Sequence, residues 1–414
     1  MKSAVIIFIA FFMLLAGLNT ASSQEGKKVL TLDDAVSIAL KENPGITVSE
    51  ANIEISKALV RNMQAPYYPN VYTRIIVPFV GRESGFFLDQ LIWDFGQTSN
   101  KVKSSKEQLK ASKFDSDTAW GDIELNTIVS YYNVLSQTHL VDSYEKKVTE
   151  GEKRLERAEG FYKAGRISQM DVTKEEVNLG NAKMQLAASR NDLEIAEDNL
   201  MAAMGIEGKF DFELVDTLEY RKKDINLEDS VDKALDTRPE LKSLKAQEAS
   251  MKANLTAAKR AFYPQLFGRT AYRFKGEGAE TPGFIAGVGF QLPIFDGFSR
   301  LADVQDAKAK LMKSQAQIET TKVGIAAEVK QLKLDLDLAE ENIQITQKTK
   351  ESAEKSFLLA KERYRLERAS ELELAEAESL YSSSDAAYRQ AIYNYNITAA
   401  KLERAIGGMN EADQ

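Results

Sequence analysis

Between Leu311 and Ala360 apolar or small side chains return every seven residues: Leu311, Ile318, Ile325, Leu332, Ala339, Thr346, Ala353 and Ala360. Val329, Leu336, Ile343 and Phe357 interleave at the three/four spacing of a helix seam, with Lys350 out of pattern. A second stripe, Leu334, Leu338 and Ile345, lies on a neighbouring face. Two stripes predict neighbours on two sides, as in a wall of helices; a plain two-stranded stalk accounts for one stripe only. Elsewhere the period drops to two. Leu266, Tyr272 and Phe274 fall on one face of a predicted strand, with Phe267, Arg269, Ala271 and Arg273 on the other. Val71, Thr73, Ile75, Val77 and Phe79 alternate with Tyr72, Arg74, Ile76 and Pro78, and residues 284–292 are apolar with small residues between. Strands of about ten residues, apolar on one face and aromatic at the ends, fit a lipid-embedded barrel. A soluble antiparallel sheet shows the same alternation.

The eight prolines punctuate these patterns, at 44, 66, 69, 78, 239, 264, 282 and 293. Long Pro-free stretches rich in Ala, Leu, Lys, Glu and Gln are what very long helices need. The predicted elements are a helix over 31–65, strands 69–79 and 86–93, a long helix 98–163 and a helix 168–204. The same order follows at 226–262, 264–274, 284–293, 298–365 and 370–406. At about 1.5 Å per residue each long helix extends roughly 100 Å, too far for a globular core, so it projects as a rod or lines a tube.

The order repeats because the chain is duplicated. Leu32-Asp33-Asp34-Ala35-Val36 returns as Leu227-Glu228-Asp229-Ser230-Val231, Pro44 as Pro239, and Tyr68-Pro69 as Tyr263-Pro264, all 195 residues on. The offset drifts to 201, pairing Gly96 with Gly297, and settles at 202, pairing Tyr162 with Tyr364 and Ser168 with Ser370. The expected organisation is a signal peptide over 1–23, a first repeat 24–205, an inter-repeat segment 206–225, a second repeat 226–407 and a tail 408–414. Elongated repeats that cannot bury their own apolar surface stack side by side.

Composition locates the chain. Lys2 precedes an apolar run from Ala4 to Leu18 and the small residues Ala21-Ser22-Ser23, the pattern of a secretory signal. The run is too short for the roughly 20 residues of a membrane span. Its removal takes away one Lys and no acid, moving the net charge from −8 to −9 and arguing against a nucleic-acid partner. There is no Cys, which excludes thiol catalysis, disulfides and a lipid-bearing N-terminal Cys. An exported chain with two bilayer-length hairpins, each leading into a helix of about 100 Å, points to a mainly α fold with a small membrane β-barrel. Four strands cannot close a barrel, whose smallest forms have about eight. Three chains supply twelve, giving a homotrimeric 12-stranded β-barrel continuous with a periplasmic α-helical barrel.

Specific segments then resemble the TolC-like outer-membrane efflux protein family. These are Leu30-Thr31-Leu32-Asp33-Asp34-Ala35-Val36 with Asn43-Pro44, its echo over 225–239, and Tyr68-Pro69 and Tyr263-Pro264 at the strand entries. Trp93-Asp94-Phe95-Gly96, Ile294-Phe295-Asp296-Gly297 and the helical turns at 162–168 and 364–370 complete the set, covering residues 30–407. The resemblance implies an outer-membrane exit duct for efflux or type I secretion, extending into the periplasm, that performs no chemistry and needs no cofactor. It implies as partners a periplasmic adaptor, an inner-membrane transporter, outer-membrane lipid and two further copies of the chain. Turn residues Gly165, Arg166, Ser168, Glu367, Arg368 and Ser370 are expected to meet the adaptor, with Glu367 standing where the family usually has a glycine. Glu373 and Glu376 match the family's acidic constriction and, three apart, share one helix face. Tyr364 and Asp171 match its gate Tyr and Asp, whereas the gate Arg falls on Ala369; Arg368, Arg365 and Arg166 are candidates to replace it. The alternative is an exported, non-channel coiled-coil protein acting as a periplasmic spacer or adaptor.

Other chemistry is thin. His139, the one histidine, lies on the stripe Ile128, Tyr132, Leu135, His139 and is expected to be a packed helix residue. Gly276-Glu277-Gly278 reads as a loop tip and Gly287-Val288-Gly289 as part of a strand. The glycosylation-like triplets at Asn254 and Asn396 fall inside predicted helices, and Tyr388, Tyr393 and Tyr395 read as seam or interface aromatics.

Overall fold

The protein is described here by a computed structural model, covering residues 28–75, 84–216, 218, 220, 222, 225–274 and 283–408. The expected signal peptide, most of the first outer loop near Gly81–Gly85, the strand residues 76–79, the Gly276–Gly278 loop tip and nearly all of the 408–414 tail lie outside those residues.

Each repeat opens with two helices where one was predicted: α1 (Leu32–Glu42) and α2 (Pro44–Gln64) in the first, α5 (Leu227–Thr237) and α6 (Pro239–Arg260) in the second. Proline is the reason. It lacks the N–H needed inside a helix and clashes with the preceding turn, but suits a first helical position. Asn43 makes the break, accepting from Gly45 N at 2.8 Å with its side chain while its own N–H closes α1 on Ala39 O. Thr31 and Asp34 cap the start of α1 reciprocally.

The long helices match expectation closely. α3 (Gln97–Lys163) and α7 (Ser299–Arg365) have 67 residues each, and α4 (Gln169–Met204) and α8 (Glu371–Ile406) return alongside them with 36 each. Side by side they form a wall in the order α2 with α4, then α3, then α6 with α8, then α7. Small residues let the helices approach closely: Ser104 meets Ser250 between α3 and α6 at 2.9 Å, and Ser56 meets Ser112 between α2 and α3 at 2.8 Å. The heptad stripe of α7 is buried in this wall, with Val329 fully covered, alongside Ile318, Ile325, Leu336 and Ile343. The second stripe is not: Leu334 is 61% exposed, with Leu338 and Ile345 beside it.

Helix α3 begins after a two-residue left-handed turn, Phe95 (φ 53°) and Gly96 (φ 90°); α7 begins after Gly297 (φ 66°) and Phe298 (φ 69°). Asp94 accepts from Thr98 N, and Asp296 from Arg300 N, at the same place in each turn. The offset is therefore already 202 here. Gly96 is equivalent to Phe298, and the pairing of Gly96 with Gly297 read from the sequence is one residue out. Each turn has one glycine, at alternate positions, and holds the other left-handed residue with aromatic contacts: Phe95 stacks on Tyr263 at 5.6 Å, and Phe298 meets Phe295 at 5.5 Å.

Strands β2 (Asn70–Arg74), β3 (Gly85–Trp93), β5 (Gln265–Arg273) and β6 (Gly283–Gln291) form one antiparallel sheet in the order β2-β3-β5-β6, joining the two repeats through β3 and β5. Its register sorts the side chains. One face carries Val71, Phe86, Leu88, Leu266, Tyr272, Phe284, Val288 and Phe290. The other carries Tyr72, Arg74, Phe87, Asp89, Phe267, Arg269 and Arg273. The register places Gly289 on this second face opposite Phe267, where a Cβ would meet the Phe267 ring at 2.8 Å. In the inter-repeat segment, β4 (Phe212–Leu214) pairs in parallel with β1 (Lys28–Leu30), a sheet the sequence reading lacked. Tyr131 ties the pair down, its hydroxyl within 3.0 Å of Leu30 O and 2.9 Å of Val215 O.

Candidate functional site

The expected contact turns lie together at one end of the helical wall. Both turns have the same bonding: Gly165 N donates to Tyr162 O and Arg166 N to Phe161 O, while Glu367 N donates to Tyr364 O and Arg368 N to Arg363 O. Such a helix end needs a left-handed residue, usually glycine. Gly165 supplies it at φ 70°, whereas Glu367 is forced to φ 56°. Ser168 and Asp171 form a capping box at the start of α4, with Ser168 N and Oγ donating to Asp171 Oδ2 at 3.0 and 2.8 Å. These bonds hold the Asp171 carboxyl below the usual range. Ser370 caps α8 by accepting from Glu373 N. Tyr364 is 42% exposed in the last turn of α7.

The two expected gate carboxylates are turned to different neighbours. Glu373 accepts from Arg363 of α7 at 2.5 Å, and Glu376 pairs with Arg154 of α3 at 3.1 Å. Around them Lys153 pairs with Glu371 at 3.1 Å, and Arg157 donates to Ser370 Oγ at 3.1 Å. Burial works against the Arg154 charge, but Glu150 and Glu376 outweigh it and raise its pKa. Beside the turns, Lys153, Arg154 and Arg157 of α3 and Arg363 of α7 thus reach the start of α8. Of the candidates read from sequence, Arg365 pairs with Glu362 inside α7 at 2.6 Å. The run Lys153-Arg154-Leu155-Glu156-Arg157 is a usable signal, since Arg157 lies about one helical turn from both Lys153 and Arg154. The partners of these bases on α8, Glu371 and Glu376, lie more than 200 residues away in sequence.

Farther up the wall, Asp216 of the inter-repeat segment joins the two repeats. It takes Tyr393 Oη at 2.8 Å and Arg389 Nη1 at 2.8 Å from α8, and lies 3.0 Å from His139 Nε2 on α3. His139 also stacks on Tyr393, with ring centroids 6.2 Å apart. It is packed on its helix as expected, and it has a charged partner that periodicity did not reveal. Arg389 passes on to Asp385, which pairs with Lys350 at 2.6 Å, so the residue that broke the seam is anchored in this chain. Burial opposes ionisation of Asp216, but the His139 and Tyr393 hydrogen bonds and the Arg389 charge prevail and lower its pKa. A second network joins the buried Arg404 of α8 to Asp122 of α3 at 2.9 Å and to Glu240 of α6 at 2.7 Å. Gly121 makes room for it, since a Cβ there would meet Arg404 Nε at 2.8 Å. These groups are structural charge pairs that lock helices together.

The chain is thus a duplicated wall of very long helices rooted in a sheet with one apolar and one charged face. The model of the outer membrane efflux protein family matches residues 82–206 and 230–408. The chain belongs to that family. Among relatives of the efflux family, it is 22% identical over 330 residues to Protein CyaE of Bordetella pertussis, covering 75% of this chain and 70% of that one. It is 24% identical over 311 residues to outer membrane efflux protein BepC of Brucella suis, covering 70% and 65%. The fold is similar to that of the CmeC outer membrane channel of Campylobacter jejuni, with TM-score 0.77, 17% identity and coverage of 95% and 92%. The CusC structure gives TM-score 0.72 at 16% identity, covering 95% and 96%. Members of the efflux family are channels and not enzymes.

Proposed function

We propose that three copies of this chain form a duct, a 12-stranded β-barrel in the outer membrane continuous with a periplasmic helical barrel. The observation that carries this reading is that the single chain ends in unsatisfied edges at both levels. β2 and β6 are sheet edges with free backbone partners on one side, a state that folded proteins close or cover. The helical wall ends in the exposed α7 stripe on one side. On the other it ends in exposed apolar residues of α2 and α4, among them Ile55, Val177 and Met184. A threefold ring joins each edge to its complement. The apolar sheet face, with Phe290 73% exposed, then meets lipid, and the charged face lines the bore.

In this duct the turns at Gly165, Arg166, Ser168, Glu367, Arg368 and Ser370 form the periplasmic end and meet an adaptor linked to an inner-membrane transporter. Glu373, Glu376, Tyr364 and Asp171 line the entrance, and substrates of an efflux pump or type I secretion system pass through without chemistry. Detergent-solubilised protein is expected to run as a trimer by native mass spectrometry and to open ion conductance in planar bilayers. A monomer soluble without detergent would overturn the proposal in favour of an exported coiled-coil spacer.

A further inference from the structure

The helix ends that meet the sheet carry charge opposite to that of the chain. The ten residues nearest the sheet in each of α2, α3, α6 and α7 together hold ten bases and two acids, whereas the whole chain has a net charge of −8. The turns between add Asp94, which accepts from Thr98 N, and Asp296, which Arg300 holds at 2.9 Å. Trp93 shows on which side part of this collar lies, since the register sets it opposite Leu266 on the apolar face of the sheet. The Trp93 ring meets Phe95, Phe95 stacks on Tyr263, and the Arg260 guanidinium lies 5.4 Å over Tyr263. On the helix side of this aromatic row, Phe262, Tyr263, Leu301, Val304 and Lys259 line a cavity of about 370 Å³ between α6 and α7. Arg300 steadies its wall, lying 5.4 Å over the Phe262 ring. Lys259 and Arg260 are exposed and have no ion pair among the described residues. Residues 249–263 contain no acid; of the two on the facing stretch of α7, Asp306 pairs with Lys310 at 2.7 Å and Asp303 stands exposed. The equivalent places in the first repeat hold Gln64, Ala65 and Ser99 for Lys259, Arg260 and Leu301, so that repeat lacks both the bases and the apolar wall.

We propose that this cavity seats an acyl chain of an anionic phospholipid whose headgroup phosphate is held by Lys259 and Arg260. The inference rests on the trimeric duct above and deepens it by naming a lipid site at the leaflet facing the periplasm. Strands β3, β5 and β6 have nine residues each. Tilted by about 40°, such strands rise roughly 23 Å, close to the height of the apolar band of membrane barrels. The helix end of the sheet therefore lies at headgroup level, where Trp and Tyr keep one end of the ring in hydrocarbon and the other in water. Lys and Arg beside that level attract anionic lipid. One molecule satisfies both halves of the site: the apolar wall takes hydrocarbon and the unpaired bases take the phosphate. A free phosphate ion would leave the apolar wall exposed to water.

The test uses the full-length protein, extracted in detergent, stripped of lipid and titrated under native mass spectrometry with phosphatidylglycerol or phosphatidylcholine of matched acyl chains. The wild type should retain one phosphatidylglycerol per chain, about tenfold more tightly than phosphatidylcholine. Lys259→Gln with Arg260→Gln should remove that preference, and Lys259→Arg with Arg260→Lys should keep it, which separates charge from altered shape. Leu301→Gln should weaken retention of both lipids. All these side chains are exposed, so circular dichroism should show unchanged helix content in each variant. Excess inorganic phosphate should leave the lipid in place; its displacement would mark a free-anion site and overturn the proposal. Equal retention of the two lipids by the wild type, or retention indifferent to the Gln pair and to Leu301→Gln, would overturn the lipid site and leave the duct standing. A wild-type chain that is monomeric and soluble without detergent would overturn the duct and the site with it.

Discussion

Glu367 and Gly165 occupy equivalent left-handed positions, and only glycine adopts that backbone without steric cost. Glu367→Gly should therefore stabilise the second turn by about 1 kcal/mol. Differential scanning calorimetry of the variant would show it as a raised Tm, and an unchanged Tm would mean that contacts of the Glu side chain offset the strain. Asp216 has the opposite character, a half-buried carboxylate whose partners come from α3 and α8. Asp216→Asn should cost about 2 kcal/mol, because it removes charge-assisted hydrogen bonds from Tyr393 and Arg389 while Asp385 remains as the counter-charge of Arg389. The sign of the pH effect follows from the lowered pKa. The stability supplied by ionised Asp216 is present above the ordinary Asp value of about 4 and is lost as pH falls through its lower folded value. Acid unfolding followed by circular dichroism should be shallower in the Asn variant below about pH 4 than in the wild type.

At the scale of elements, α8 is held at its start by bases from two helices, Arg154 of α3 and Arg363 of α7. Removing both, as Arg154→Gln with Arg363→Gln, is expected to loosen the first turns of α8. Hydrogen exchange should then speed up over residues 371–380 and stay unchanged in the buried core around Leu402. These pairs are partly exposed, so the effect on global stability should be small. Glu373→Ala with Glu376→Ala removes the carboxylates instead. In single-channel recordings it should reduce cation selectivity and block by multivalent cations, and unchanged selectivity would remove both residues from the entrance. The long helices were legible in the sequence because a seven-residue pattern sustained over some fifty positions outweighs local exceptions. The breaks before Pro44 and Pro239 were missed because the apolar pattern runs through them, while a single missing N–H decides the backbone. The β1–β4 pair was missed as well, since strands of three residues have no period to read.

Over the whole molecule, the exposed second stripe of α7 carries the largest consequence. Leu334 and Val323 project from the end of the wall, and in the proposed ring they pack against α2 and α4 of the next copy. Val323→Asp with Leu334→Asp should leave the monomer folded, because both side chains are already exposed within it. It should abolish the trimer in native mass spectrometry. A trimer of wild-type mass ratio would show that the stripe lies outside the interface.

Residue order alone determined the duplication, the four long helices, the two hairpins and the second apolar stripe of α7, because periodicity and proline placement act locally along the chain. Only the tertiary structure decided which charges meet. Glu373 with Arg363, Glu376 with Arg154, Asp216 with His139, and Asp89 with Arg269 are set by helix packing and strand register. A shift of one residue in either would pair different side chains while leaving every periodic pattern intact.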